Sequence, residues 1–220
     1  MILSLDTTSE WGSIALTERS DLVEELEIHS PDGFGHVLFP ELQQLLDRHG
    51  VSVDAIECFA AASGPGSFTG VRVGLSAAKG LAEATGKKMV AVSNLRALAS
   101  FGSAPLRAVA LDARRGEIYG AVYDDRSRLV APESVMKVED WLRTLPASGF
   151  EFVLAGDLRI ESPVPVVHAP RALAAAIGRI AWREFESGRA LDPAAIDANY
   201  VRRSDAELFW KDPVTRSPSG

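Results

Sequence analysis

The sequence predicts an α/β protein made of two similar subdomains, and three features carry that expectation. An apolar strand, an acid, a polar turn and a returning strand occur at Ile2–Thr17, with Asp6 at the bend. The same device recurs at Ala108–Tyr123 with Asp112 at its bend, which reads as an internal duplication. Between them, the apolar run Ile56–Ala62 meets Ser63-Gly64-Pro65-Gly66-Ser67, which cannot continue a strand, and then becomes a helix of small residues.

In chain order, Ile2–Leu5 is a short apolar strand ending at Asp6, and Thr7-Thr8-Ser9-Glu10 turns it into a second strand near Gly12–Thr17. A third covers Leu22–His29 and is broken by Ser30-Pro31-Asp32-Gly33. From His36, the residues Leu38, Leu42, Leu45 and Leu46 share one helical face up to Gly50, with Pro40 in the first turn, where its missing N–H is harmless. The strand Ile56–Ala62 leads through the Gly turn into a helix over about Thr69–Thr85, with Thr69 as cap and Gly86 as left-handed terminator. A strand at Met89–Val92 and a helix at Leu95–Ser100 close the first subdomain, residues 1–103, and Gly102-Ser103-Ala104-Pro105 marks the boundary. The second, residues 104–195, opens with Ala108–Leu111, turns at Ala113–Gly116, returns along Glu117–Tyr123 and extends at Arg128–Val130. A helix at Val138–Leu145, strands at Phe152–Ala155 and Val164–Val167, and a helix from Leu173 through about Gly188 complete it. The segment of about 196–212 is expected to join the first subdomain, and the polar, Pro-containing last ten residues to be mobile.

Composition narrows the function classes. With 220 residues and 46% apolar content the chain can bury a proper core. A net charge of −7 and a pI near 5.2 argue against autonomous nucleic-acid binding, which relies on clustered cations. The one cysteine, Cys58, lies in an apolar run and reads as a buried thiol in a reducing compartment. Without a basic leader or a run of about 18 apolar residues, the expected location is the cytoplasm, with no membrane contact.

The motifs exclude more chemistry than they support. Gly64-x-Gly66-x-x-x-Gly70 misses the dinucleotide spacing by one residue, and no Gly-Lys-Ser/Thr follows. Ser67 is not in a nucleophile elbow, because Pro65 and Thr69 stand where glycines are required. His36 is followed by Pro40, so no histidine pair grips a metal, and neither a metal site nor a catalytic residue is assigned. Asp6 and Asp112 stand where α/β proteins place ligand groups and could hold Mg²⁺ through water, although an Asp at a bend more often bonds local backbone N–H groups. With Gly64, Gly66, Ser67 and Thr69 they form the nucleotide- or turn-related set. In the central helix, Gly70, Gly74 and Ala78 recur every four residues and form a bare strip, flanked by Val71, Leu75 and Ala82. Each interior glycine costs roughly 1 kcal/mol against alanine, so the strip has a packing reason, either against the chain's own sheet or against a partner.

The runs SGPGSFTGVRVGLSAAKGLA, ILSLDTTSEWGSIAL, HVLFPEL and LDARRGEIYGAVY closely resemble the bacterial TsaB (YeaZ) family. The resemblance implies a duplicated fold like that of actin, hexokinase and Hsp70, in which each subdomain is RNase H-like. It implies a non-catalytic interaction subunit that pairs with the transferase TsaD, with the ATPase TsaE assisting, in making threonylcarbamoyladenosine beside the anticodon of tRNA. The implied partner surface comprises His36, Phe39, Leu42, Gly70, Arg72, Val73, Gly74, Ala77 and Ala78. The chain alone is then expected to bind no cofactor, to leave ATP, ADP and Mg²⁺ to the complex, to reach tRNA only through it, and to form a homodimer when its partner is absent. The alternative is a free-standing ATPase or glycoprotease-like peptidase of the same superfamily.

Overall fold

The computed structural model describes residues 1–202, so the expectation for the last ten residues lies outside the described residues. Among the described residues, ten strands form two five-stranded sheets of identical topology. The first contains β1 (Ile2–Asp6), β2 (Trp11–Glu18), β3 (Asp21–His29), β4 (Cys58–Gly64) and β5 (Lys88–Ser93), in the order β3-β2-β1-β4-β5. The second contains β6 (Leu106–Arg114), β7 (Glu117–Asp124), β8 (Leu129–Lys137), β9 (Glu151–Ala155) and β10 (Val166–Ala169), in the order β8-β7-β6-β9-β10. In each, three antiparallel strands are followed by two that join in parallel. The short strand, acid and turn repeat read from the sequence therefore extends to whole sheets, as a duplication requires.

Helices α1 (Leu38–Arg48) and α2 (Phe68–Thr85) cover the outer face of the first sheet. Leu3, Leu5, Ile14, Leu16 and Phe59 alternate onto that face and meet Leu38, Leu42, Leu45 and Leu46 of α1 and Val71, Leu75 and Ala78 of α2. Helix α4 (Val138–Thr144) covers the outer face of the second sheet, with Trp141 against Phe152. Between the sheets lie α3 (Asn94–Ala99) and α5 (Ala174–Glu186), in one core that takes Ile2, Ala60 and Val90 from the first sheet and Val109, Ala121 and Val153 from the second.

The two inner helices are exchanged. α3 packs chiefly on β6 and β7, while α5 packs on β1, β2, β4 and β5, so the 103/104 boundary separates the sheets but not their covering helices. Between residues 191 and 199 the C-terminal segment lies against the first half. Leu191 pairs with Met89, Ile196 enters the α1/α2 core, and the Asn199 N–H donates to the Ser63 carbonyl at 2.8 Å. It then crosses to the second half, where the Asn199 amide donates to Glu133 Oε2 at 2.5 Å and Arg202 donates to the Ala113 carbonyl at 3.0 Å. Glu133 also accepts from Tyr123 Oη at 2.6 Å, and burial first, then this carboxylate, pushes the Tyr123 hydroxyl above its ordinary pKa.

Several boundaries differ from the sequence reading, among them β6 (Leu106–Arg114), β8 (Leu129–Lys137) and β10 (Val166–Ala169), and two of the differences have clear local reasons. β4 runs on through Ser63 and Gly64, because β5 continues beside it to Ser93. Helix α2 begins at Phe68 and is capped by Ser67, whose Oγ accepts the Gly70 N–H at 3.2 Å, so the cap is not Thr69, which stands exposed. Gly86 ends that helix at φ 65°, as expected.

Candidate functional site

A cleft of about 1170 Å³ opens between the sheets at the carboxyl ends of their parallel strands. Open α/β sheets place ligands at that end, because the loops there leave a crevice. Its floor in the first half is a closed hydrogen-bond chain. Asp6, 3% exposed, accepts the Thr8 N–H at 3.0 Å and the Thr8 hydroxyl at 2.7 Å. The Asn94 amide donates to Thr8 Oγ1 at 2.8 Å and to Asp6 Oδ2 at 3.3 Å, and its carbonyl accepts the Gly64 N–H at 3.1 Å. Burial raises the Asp6 carboxyl above the usual range, against the lowering effect of these bonds. In the second half Asp112 is exposed and accepts the Arg114 N–H at 2.8 Å, the same residue-to-i+2 bond that Asp6 makes. Both acids thus make the local turn bonds that the residue type favours.

Of the nucleotide- or turn-related set, Asp6, Gly66, Ser67 and Asp112 line the cleft, while Gly64 and Thr69 do not. Gly66 presses on Thr8, and the Ser67 N–H donates to the Thr8 carbonyl at 2.7 Å, so the Gly turn is folded down onto the first hairpin. Sequence reasoning missed Asn94, the residue that ties this floor together. Its one signal was a polar residue at the junction of an apolar strand and an apolar helix. Among the described residues no three His, Cys, Asp or Glu side chains gather as a metal would need, and burial pushes the Cys58 thiol up to about 12. No helix among them is long and apolar enough to cross a membrane.

The second surface is the outer face of α1 and α2. A groove of about 280 Å³ between them is lined by Leu38, Phe39, Val73, Ser76 and Ala77, under Phe34 and Gly35. Phe39 is 52% exposed at its edge, and His36 and Arg72 are also on the surface. Val73 and Ala77 reach it in the groove lining, whereas Leu42, Gly70, Gly74 and Ala78 are turned inward. Leu42 and Ala78 are in the core between these helices and the sheet. Gly70 and Gly74 face the β1–β2 turn, where the Thr7 hydroxyl donates to the Gly70 carbonyl at 2.7 Å and a Cβ on Gly74 would lie 2.5 Å from Thr7 Oγ1. The bare strip is therefore a close approach within the chain, against the first hairpin at Gly70 and Gly74 and in the core at Ala78.

With that geometry in place, comparison with known proteins identifies the family. Residues 33–177 match the family model described as "TsaD: tRNA N6-adenosine threonylcarbamoyltransferase". Over 96% of both chains, the protein is 30% identical to the "tRNA threonylcarbamoyladenosine biosynthesis protein TsaB" of Escherichia coli K12. The chain belongs to the TsaB (YeaZ) family. Two solved structures from Pseudomonas aeruginosa superpose on this TsaB-family chain with a TM-score of 0.77. One, "YeaZ", is 26% identical and covers 90% of this chain and 98% of its own. The other, described as having "similarity to peptidase YEAZ", is 27% identical over 91% and 99%. The fold is the duplicated α/β arrangement of actin and hexokinase, and the TsaB-family role lies in threonylcarbamoyladenosine biosynthesis in tRNA.

Proposed function

We propose that this chain is a non-catalytic subunit that pairs with a TsaD homologue, joined by a TsaE homologue, in the cytoplasmic complex that transfers threonylcarbamoyl to the adenosine beside the anticodon of tRNA. The observation that carries the reading is the uncharged groove between α1 and α2 with Phe39 at its edge. An apolar patch rimmed by polar residues is characteristic of protein contacts, and a paralogue with the same helices offers a complementary pair. By the same argument two copies of this chain associate through that face when the partner is missing. The chemistry is left to the partner, a reading supported by Asp6 being tied to Thr8 and Asn94 and by Cys58 being a buried thiol. ATP, ADP and Mg²⁺ act at the level of the complex, and tRNA is reached through it.

The test is co-purification of the cell's own TsaD homologue with tagged wild type and with Phe39→Asp. Wild type should capture it and the variant should not, at an unchanged melting temperature, since Phe39 is outside the core. Undiminished capture by Phe39→Asp sinks the reading. ATP or peptide turnover that scales with the purified chain's own concentration favours the free-standing enzyme instead.

A further inference from the structure

One turn of α2 from the groove stands a guanidinium that is held in place but not used. The guanidinium of Arg72 lies over the Phe68 ring, with its central carbon 3.8 Å from the ring centroid. Its Nε donates to Tyr200 Oη at 3.0 Å, and the Phe68 and Tyr200 rings sit 5.1 Å apart. Phe68 and Tyr200 are 41% and 44% exposed, so the cluster is at the surface. Among the described residues, neither Nη group of Arg72 has a hydrogen-bond or ionic partner. Most exposed arginines lose rotamer freedom when they bind something. Here the ring contact and the tyrosine bond already restrain the guanidinium, and its two Nη groups keep their N–H donors for a ligand.

We propose that Arg72, positioned by Phe68 and Tyr200, is the receptor for a carboxylate of the docked partner protein, an Asp or Glu on the helix that lies along α2. This rests on the docking reading above. Two observations choose the occupant. Arg72 and Ser76 are four residues apart on one face of α2, and Ser76 lines the groove, so a helix seated there passes the guanidinium. The groove itself carries no charged side chain, which leaves Arg72 as the charge that fixes the partner's register. A planar carboxylate can accept two bonds from the paired Nη groups of a guanidinium, a geometry a lysine cannot supply.

The experiment measures affinity of the full-length chain for its purified TsaD homologue by titration calorimetry at two salt concentrations. Arg72→Gln should weaken binding about tenfold or more and reduce its salt dependence, with no change in melting temperature. Arg72→Lys should recover only part of the loss, and Tyr200→Phe should weaken binding severalfold by releasing the guanidinium. Arg72→Glu should be rescued by one Asp or Glu to Lys change on the partner's contacting helices. Phe39→Asp, measured beside these, tests the groove separately. If it abolishes binding while Arg72→Gln does nothing, docking stands and the carboxylate proposal falls, and if neither matters both fall. A loss seen only with tRNA present makes the anion a phosphate and overturns the proposal. So does a loss that disappears when Asp205→Asn and Glu207→Gln are added to this chain, because the acid is then its own.

Discussion

Asn94 serves three neighbours at once, and that concentration of roles makes it the most sensitive polar residue of the cleft floor. Asn94→Ala leaves the buried Gly64 N–H without an acceptor and takes a donor from Thr8 and Asp6. An unsatisfied buried group costs about 1–3 kcal/mol, and more where a carboxylate is involved, so urea unfolding should show at least that loss. Glu184 is a second residue whose contribution can be read, by pH. Its side chain is 13% exposed; burial favours protonation, but Arg189 and Arg96 at 2.5 Å hold it below the ordinary value of 4.5. The native state then binds fewer protons than the unfolded chain, so its stabilisation is complete above about pH 4.5 and is lost as pH falls through the lower native value. Stability of wild type should therefore fall more steeply below that pH than stability of Glu184→Gln, as measured by denaturant titration across the acid range.

At the scale of elements, α2 shows what a periodic pattern can and cannot say. Because a Cβ on Gly70 would run into the Thr7 carbonyl and one on Gly74 into the Thr7 hydroxyl, Gly74→Leu must lift the helix from the first hairpin. Overpacking of this kind costs about 1–3 kcal/mol or more, a fall of several degrees in melting temperature for a chain of this size, and protein that stays folded should keep its partner affinity. An unchanged melting temperature with lost association would falsify the intrachain account. The small-residue strip was legible in the sequence; its direction was not, because spacing tells which residues share a face and not what that face meets. The strands were legible for a stronger reason. Ile2–Leu5, Ile56–Ala62 and Met89–Val92 are apolar runs too short for helices, so only their ends moved. The Ser67 cap was hidden because Thr69, two residues on, has the same capping chemistry.

Across the whole molecule, the sequence disclosed the duplication through Asp6 and Asp112, since a strand, acid and turn are local. The exchange of α3 and α5 depends on contacts about 170 residues apart, such as the Ser4 hydroxyl donating to the Ala174 carbonyl at 2.7 Å, and no local pattern encodes it. With one core drawing on both sheets, the two halves should unfold together. Calorimetric and van't Hoff enthalpies are expected to agree, and two resolved transitions would contradict this. The exchange also sets an order of events at the ribosome. The strands of the first sheet are made well before Ala174–Glu186, which covers their inner face. A nascent chain halted after β9 carries every strand of that sheet but lacks Ala176, Ile177 and Ile180, the α5 part of the core around Ile2, Cys58 and Ala60, and apolar surface left uncovered in this way is prone to aggregation.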